Sequence, residues 1–241
     1  MGWGSAMLLR LREGQAFQPI LLQPGDPVVF PDPSEADAEG LVAVGGELSI
    51  ERLRFAYEHG IFPWSDDDNP PLWWSPDPRC VIPLDGVHVP RRLRKRMRRG
   101  GFELTTDVAF ERVMRRCAEA RSDGTWITEE MVGAYVALHA QGLASSVEVW
   151  ASEELVGGLY GVRVGGLFAA ESMFKSRTDM SKVALVTALE AARAAGFSLF
   201  DVQFKTDHLA QFGAVELSRA RYLAELERAR GASAGPLRVD A

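Results

Sequence analysis

The first place where this sequence could do chemistry is an apolar segment carrying two polar side chains two residues apart. In LFDVQF, residues 199–204, strand geometry alternates side chains between faces. Asp201 and Gln203 then share one face, and Phe200, Val202 and Phe204 share the other. A carboxylate can orient a neighbour or accept a proton, and a carboxamide can donate to a developing oxyanion. The same pattern also fits a half-exposed edge strand whose polar face meets water. Glu171 interrupts the apolar LFAAESMF at 167–174. A charge buried alone is costly, so this acid is paired or functional unless it is a strand-end glutamate facing solvent. In KSRTDMSK, Lys175, Arg177, Asp179, Ser181 and Lys182 precede a helix start, where free amides and the helix dipole attract anions. An ordinary capped helix entry explains that segment equally well.

Charge gives a further lead. The net charge of -6, from 27 basic and 33 acidic residues, argues against a nucleic-acid partner on average. The average hides the run RRLRKRMRR at 91–99, where Arg91, Arg92, Arg94, Lys95, Arg96, Arg98 and Arg99 supply seven cations in nine residues. Such a run repels itself unless an anion visits, and a nucleic-acid backbone is the obvious one. A solvated helix face is the other reading. Trp64, Trp73, Trp74 and Trp126 offer rings for base stacking, at about 1–3 kcal/mol per base, although tryptophan is also an ordinary core residue.

Other chemistries are disfavoured. Cys80 and Cys117 form no CxxC pair, and His59, His88, His139 and His208 are scattered, so neither a disulfide framework nor a metal site is indicated. No GxxxxGK[ST] loop occurs, and the nearest glycine-rich stretch, RARGASAG at 228–235, follows no strand, so acyl-CoA chemistry lacks its usual cradle. The apolar runs fall far below the roughly 20 residues needed to cross a bilayer. Residues 1–15 lack the pattern of a secretory signal, which predicts a cytoplasmic protein without a membrane partner.

The elements that must position these groups follow from period and punctuation. The 241 residues fit one large or two small domains. The first 47 read as irregular structure with short strands. Ser49 opens a helix over 50–59 that Gly60 stops. Five prolines and the aspartate run at 66–68, all between Gly60 and Arg79, predict an aromatic-rich loop without regular structure. Asp107 opens a helix with Val108, Phe110, Val113, Met114 and Cys117 inward, and Thr128 opens another with Met131, Tyr135 and Leu138 inward. A three-stranded meander follows, with Gly165–Gly166 as a hairpin turn, then an alanine-rich helix over 181–195 and the strand at 199–204. The order β-β-β-α-β resembles the core of an acyltransferase fold.

Eight strings now stand in order: FPDP at 30–33, GLVAVGGELS at 40–49, YEHGIFPW at 57–64, LWWSPDPR at 72–79, DGTWIT at 123–128, VGGLYGV at 156–162, AESMF at 170–174 and FDVQFKTDHLAQFGA at 200–214. Together they resemble the leucyl/phenylalanyl-tRNA protein transferase family from about residue 30 to Tyr222. The resemblance implies an α+β chain with a small N-terminal α/β domain at 1–77, a GNAT-like acyltransferase domain at 78–232 and a tail at 233–241. It implies an enzyme that moves leucine or phenylalanine from Leu-tRNA or Phe-tRNA to the N-terminal Lys or Arg of an acceptor protein. That transfer marks the acceptor for N-end rule degradation. By the same resemblance Trp64 stacks on the 3′-terminal adenosine and Trp126 lines the neighbouring acceptor region. Leu159, Phe168, Leu185 and Phe200 line the amino-acid pocket, Asp201 and Gln203 are the catalytic pair with Glu171 beside them, and the basic run meets the acceptor stem.

An activated ester exchanged for an amide requires no ATP, metal or other cofactor. Two departures from the family pattern bear on selectivity: Ala170 stands where glycine is common, and Asp179-Met180 replaces the more usual Asn-Ala. The competing readings are a GNAT-like N-acyltransferase using acyl-CoA and a tRNA-binding module without catalysis.

Overall fold

The computed structural model describes residues 19–64, 69–120 and 125–239. Residues 1–15, read above for a secretory signal, and the aspartates at 66–68 lie outside the described residues.

The described residues open with a four-stranded sheet. Strands β1 (Ile20–Leu22) and β2 (Leu41–Gly45) are parallel, and β3 (Phe62–Pro63) and β4 (Leu72–Trp74) form a hairpin whose β4 continues antiparallel onto β2. Between β2 and β3 lies α1 (Ile50–Glu58), where the Ser49 hydroxyl accepts the Arg52 amide at 3.3 Å and Gly60, at φ +77, stops the helix. The stretch expected to lack regular structure thus carries β3, β4 and β5 (Arg79–Val81). Its prolines at 70, 71, 76 and 78 fall between the strands, where no ladder donor is needed. Trp73 and Trp74 are core residues, with their indole N–H groups donating to the carbonyls of Gly45 and Trp64 at 2.8 and 2.9 Å.

The larger sheet has seven strands, in spatial order Val215–Leu217, Arg79–Val81, Leu199–Gln203, Leu167–Lys175, Glu154–Val164, Ala144–Ala151 and Glu103–Thr106. The basic run forms α2 (Arg91–Arg99), anchored by the buried Leu93. Strand β6 (Glu103–Thr106), which the sequence pattern does not announce, follows and pairs with β7. Asp107 does not cap a helix. Its φ is +61, its carboxylate accepts the Ser146 amide at 2.9 Å, and Val108 is left exposed before α3 (Phe110–Glu119) begins. Helix α4 (Glu129–Ala140) starts at Thr128 as expected. Then come the meander β7 (Ala144–Ala151), β8 (Glu154–Val164) and β9 (Leu167–Lys175), the crossover helix α5 (Met180–Ala194), and β10 (Leu199–Gln203) parallel to β9. Short α6 (Asp207–Ala210), β11 (Val215–Leu217) and α7 (Arg219–Arg230) complete the described strands and α-helices. The fold is mixed α and β with two mixed sheets, and among the described residues no helix is long and apolar enough to cross a membrane.

Two core groups lie on opposite faces of the large sheet. Leu199, Leu167 and Ala169 face the first, with α1, α3 and α4, whereas Phe200, Phe168 and Ala170 face the second, with α5. The first group also holds Leu41, Trp73 and Trp74, so the two sheets share a core. Beyond α7 the chain stays packed: Leu237 is buried, and Gly235 donates to the Ala195 carbonyl at 2.8 Å.

Adjacent glycines in β8 let helices approach both faces. A Cβ on Gly157 would lie 2.6 Å from Met180 Cβ in α5, and one on Gly158 would lie 3.0 Å from Val113 in α3. Gly157→Ala is therefore expected to lower stability by about 1–3 kcal/mol in denaturant unfolding, as overpacking of a tight core does. An unchanged midpoint would show that α5 yields freely.

Candidate active site

β10 lies between β5 and β9, so the edge-strand reading of LFDVQF does not hold. Leu199 and Asp201 face the first core group and Phe200 and Val202 the second, as strand alternation requires. At Gln203 the alternation breaks. The register with β5 shifts between Asp201 and Gln203, Gln203 takes φ +54, and the Phe204 amide donates to the Val202 carbonyl at 2.7 Å. A non-glycine residue held there costs about 1–3 kcal/mol, and such strain persists only where the surroundings enforce it. Here Asp201 enforces it, because its Oδ1 accepts the Gln203 backbone amide at 2.9 Å. Asp201 and Gln203 do meet, but through a bulge and a side-chain-to-backbone bond rather than a shared flat face.

Asp201 is fully buried, and every bond it makes is to a donor. Arg79 Nη2 reaches Oδ2 at 2.6 Å and Arg79 Nε reaches Oδ1 at 2.9 Å, a bidentate pair, while the Tyr222 hydroxyl donates to Oδ2 at 2.9 Å. Arg79 is itself sandwiched between the rings of Phe62 and Tyr222, each centroid 4.6 Å from its guanidinium carbon, and donates to the Gly60 carbonyl at 3.0 Å. Burial opposes the Arg79 charge, but Asp201 and then Tyr222 outweigh it and hold its pKa above the ordinary value.

Glu171, on the neighbouring strand β9, keeps part of its surface in solvent. Its Oε1 accepts from Gln203 Nε2 at 3.4 Å, and the Tyr57 hydroxyl, 2.6 Å from that of Tyr135, favours its charged form. Burial pushes the Glu171 carboxyl up to about 8; Asp201 adds to this, and Tyr57 and Arg79 oppose it. Glu171 is thus paired, as its apolar setting required. Reading the sequence missed Arg79, Tyr57, Tyr135 and Tyr222. In the sequence Tyr57 stands only within YEHGIFPW and Tyr135 only in an apolar helix stripe, although a buried tyrosine hydroxyl needs a partner, and that need was the available signal.

Around this cluster the other expected residues separate. Trp64 is 40% exposed and its ring lies 5.5 Å from that of Phe204, also 40% exposed, directly after Gln203. Trp126 is half-buried against the first core group. Leu159, Phe168, Leu185 and Phe200 pack together in the second group, with Phe168 and Phe200 stacked at 5.1 Å, across the sheet from Asp201. Of the seven cations on α2, Arg91, Arg92, Arg94, Lys95, Arg98 and Arg99 are exposed. Among the described residues none of the seven is joined to a carboxylate. In KSRTDMSK, by contrast, Arg177 is tied to Glu154 at 2.7 Å, and Asp179 makes no capping bond. A cleft of about 340 Å³ between α1 and α7, lined by Phe30, Phe55, His59 and Leu223, contains none of the expected site residues.

Comparison with known proteins bears on what this cluster serves. The family described as leucyl/phenylalanyl-tRNA protein transferase matches residues 81–227, and the N-terminal domain of the same family matches residues 46–77. The leucyl/phenylalanyl-tRNA protein transferase of Anaeromyxobacter sp. (strain K) is 53% identical over 214 residues, covering 88% of this chain and 91% of that protein. A protein of the same name from Myxococcus xanthus is 53% identical over 212 residues, 87% of this chain and 91% of its own. Among solved structures, that of L-PGS from Bacillus licheniformis overlaps with a TM-score of 0.42 and 11% identity over 64% of this chain and 65% of that one, too loose a likeness to assign the fold. On the matched length and identity of its relatives, this chain belongs to the leucyl/phenylalanyl-tRNA protein transferase family.

Proposed function

We propose that this aminoacyltransferase moves leucine or phenylalanine from its charged tRNA to the N-terminal Lys or Arg of an acceptor protein in the cytoplasm, marking that protein for N-end rule degradation. The observation that carries the reading is 53% identity to relatives of that name over 88% of the chain. In the finer reading, residues 1–77 form an N-terminal domain, 78–232 a GNAT-like transfer domain and 233–241 a tail.

The chemistry asks little beyond positioning. The acceptor α-amine has a reference pKa of about 7.7–8.0, so a useful fraction is neutral near pH 7. Holding it about 3–3.5 Å from the ester carbonyl supplies much of the rate. Gln203, fixed in backbone by Asp201 and in side chain by Glu171, is suited to hold the reacting groups. The exposed Trp64 ring suits the terminal base, and the exposed cations of α2 suit the acceptor-stem phosphates. For the amino-acid side chain the reading keeps Leu159, Phe168, Leu185 and Phe200 as the apolar wall, on the sheet face opposite Asp201, with Trp126 bordering the acceptor end.

The activity itself is tested with radiolabelled Leu-tRNA and a peptide beginning with Arg. Label in the peptide is expected, whereas tRNA binding without transfer, or CoA binding, would favour one of the competing readings. Changing Arg91, Arg94 and Lys95 to Ala should weaken tRNA binding and lower its salt slope by about 0.9 for each phosphate no longer neutralised. An unchanged slope would return α2 to a solvated face. Ala170→Gly should shift the Phe-to-Leu ratio by about tenfold at most, the scale of one methyl group in a pocket. A ratio that does not move would place that methyl outside the pocket.

A further inference from the structure

We propose that Glu171 takes the proton from the attacking acceptor amine and returns it to the departing ribose oxygen, and that Tyr57, backed by Tyr135, positions it for both steps. This rests on the aminoacyl-transfer reading above and assigns the proton path within it.

Asp201 is unsuited to that role by its contacts. Its two oxygens already accept from Arg79 Nε and Nη2, the Tyr222 hydroxyl and the Gln203 amide, and none of its surface is exposed. A proton added there would displace a charged donor from a buried bidentate pair, and a substrate amine has no approach to it. Glu171 differs in that no cation is bonded to it among the described residues. It retains solvent-facing surface, it sits within reach of the Gln203 carboxamide at 3.4 Å, and its hydroxyl partner can act in either sense.

That last property comes from the tyrosine chain. A phenol can donate or accept. With Glu171 ionised, Tyr135 donates to Tyr57 and Tyr57 donates to the carboxylate. With Glu171 protonated, the carboxyl donates to Tyr57 and Tyr57 donates to Tyr135. The 2.6 Å contact between the two hydroxyls serves both arrangements, so neither protonation state leaves Glu171 without its partner. Both rings are fully buried, which fixes the chain in place.

The step balances without a further reactant. The neutral amine nitrogen attacks the ester carbonyl and forms the C–N bond, and its extra proton passes to the Glu171 carboxylate. The carbonyl re-forms, the C–O bond to the ribose breaks, and Glu171 gives the proton to the ribose oxygen. The amide and a free tRNA hydroxyl result, and Glu171 is again ionised.

The groups facing Glu171 set the direction of its pH response. Tyr57 on α1 stabilises the carboxylate with Tyr135 on α4 behind it, Asp201 on β10 opposes it, and Arg79 on β5 favours it. The Gln203 carboxamide on β10 donates to it, and Tyr222 on α7 is linked to it through Asp201.

The test is single-turnover transfer from saturating Leu-tRNA to an Arg-initiated peptide across pH 6–10. Rates are normalised to the neutral fraction of the peptide amine, measured by NMR titration of the free peptide. The wild type should keep a rising limb after this correction, centred near pH 8, where Glu171 ionises. Glu171→Gln should lose that limb and fall by about 10²–10⁴-fold, the range for a positioned acid or base. Tyr57→Phe removes a bond that favours the carboxylate, so its limb should move to higher pH and its rate should recover at the alkaline end. Asp201→Asn removes an opposing charge, so in the folded variant the limb should move to lower pH.

A folded Glu171→Gln enzyme with the wild-type limb would overturn the assignment. A Tyr57→Phe rate lowered equally at every pH would overturn the positioning role. A wild type that transfers nothing would overturn the activity reading, and this inference with it, whereas a working wild type with an equally active Glu171→Gln overturns this inference alone.

Discussion

The buried ion pair between Arg79 and Asp201 is the constraint on which the site depends. Two charges removed from water cost several kcal/mol each in desolvation, and only close geometry with further bonds offsets that. Both conditions are met: the pair is 2.6 Å apart, and Tyr222, Gly60 and the Gln203 amide satisfy the remaining positions. The pair also joins parts distant in sequence. Arg79 comes from the end of LWWSPDPR, Asp201 from the strand after the crossover helix and Tyr222 from the last helix, with Phe62 of the small sheet lying against the guanidinium. The fold thus converges on one carboxylate, and that carboxylate fixes the backbone of the residue two positions on.

From this follows a division of labour between two acids that bond the same glutamine, one at its backbone and one at its side chain. Asp201 is enclosed and bound on every side, which suits it to hold shape. Glu171 keeps some exposed surface and has a reversible hydroxyl chain beside it, which suits it to exchange a proton. The strain at Gln203 fits the same scheme, because a left-handed residue between an internal strand and an exposed aromatic pair points its carboxamide where flat pleating would not.

Much of this was legible in the sequence, and the losses have physical causes. The helix at Ser49, the meander and the crossover helix follow from caps, a Gly-Gly turn and apolar period, all of which are local. The strands β3 to β6 escape such a reading because each is four residues or fewer and exists only through pairing with distant partners. Asp107 looks like a helix cap, but a tertiary bond to Ser146 holds it elsewhere. At the site, Asp201, Gln203 and Glu171 are visible as polar residues in apolar strands. Arg79 is not, since nothing within LWWSPDPR says that its cation is buried against a residue 122 positions later.

If the Arg79–Asp201 pair acts as one unit, removing either member removes the whole of its effect on Gln203. A double-mutant cycle on single-turnover transfer, with Arg79→Met, Asp201→Asn and the two combined in folded protein, measures this directly. The account predicts strong non-additivity: each single change lowers the rate by about 10²-fold, the scale of a misplaced reacting group, and the double variant is no slower than either. Losses that multiply in the double variant would contradict it, showing that the two residues contribute to transfer independently.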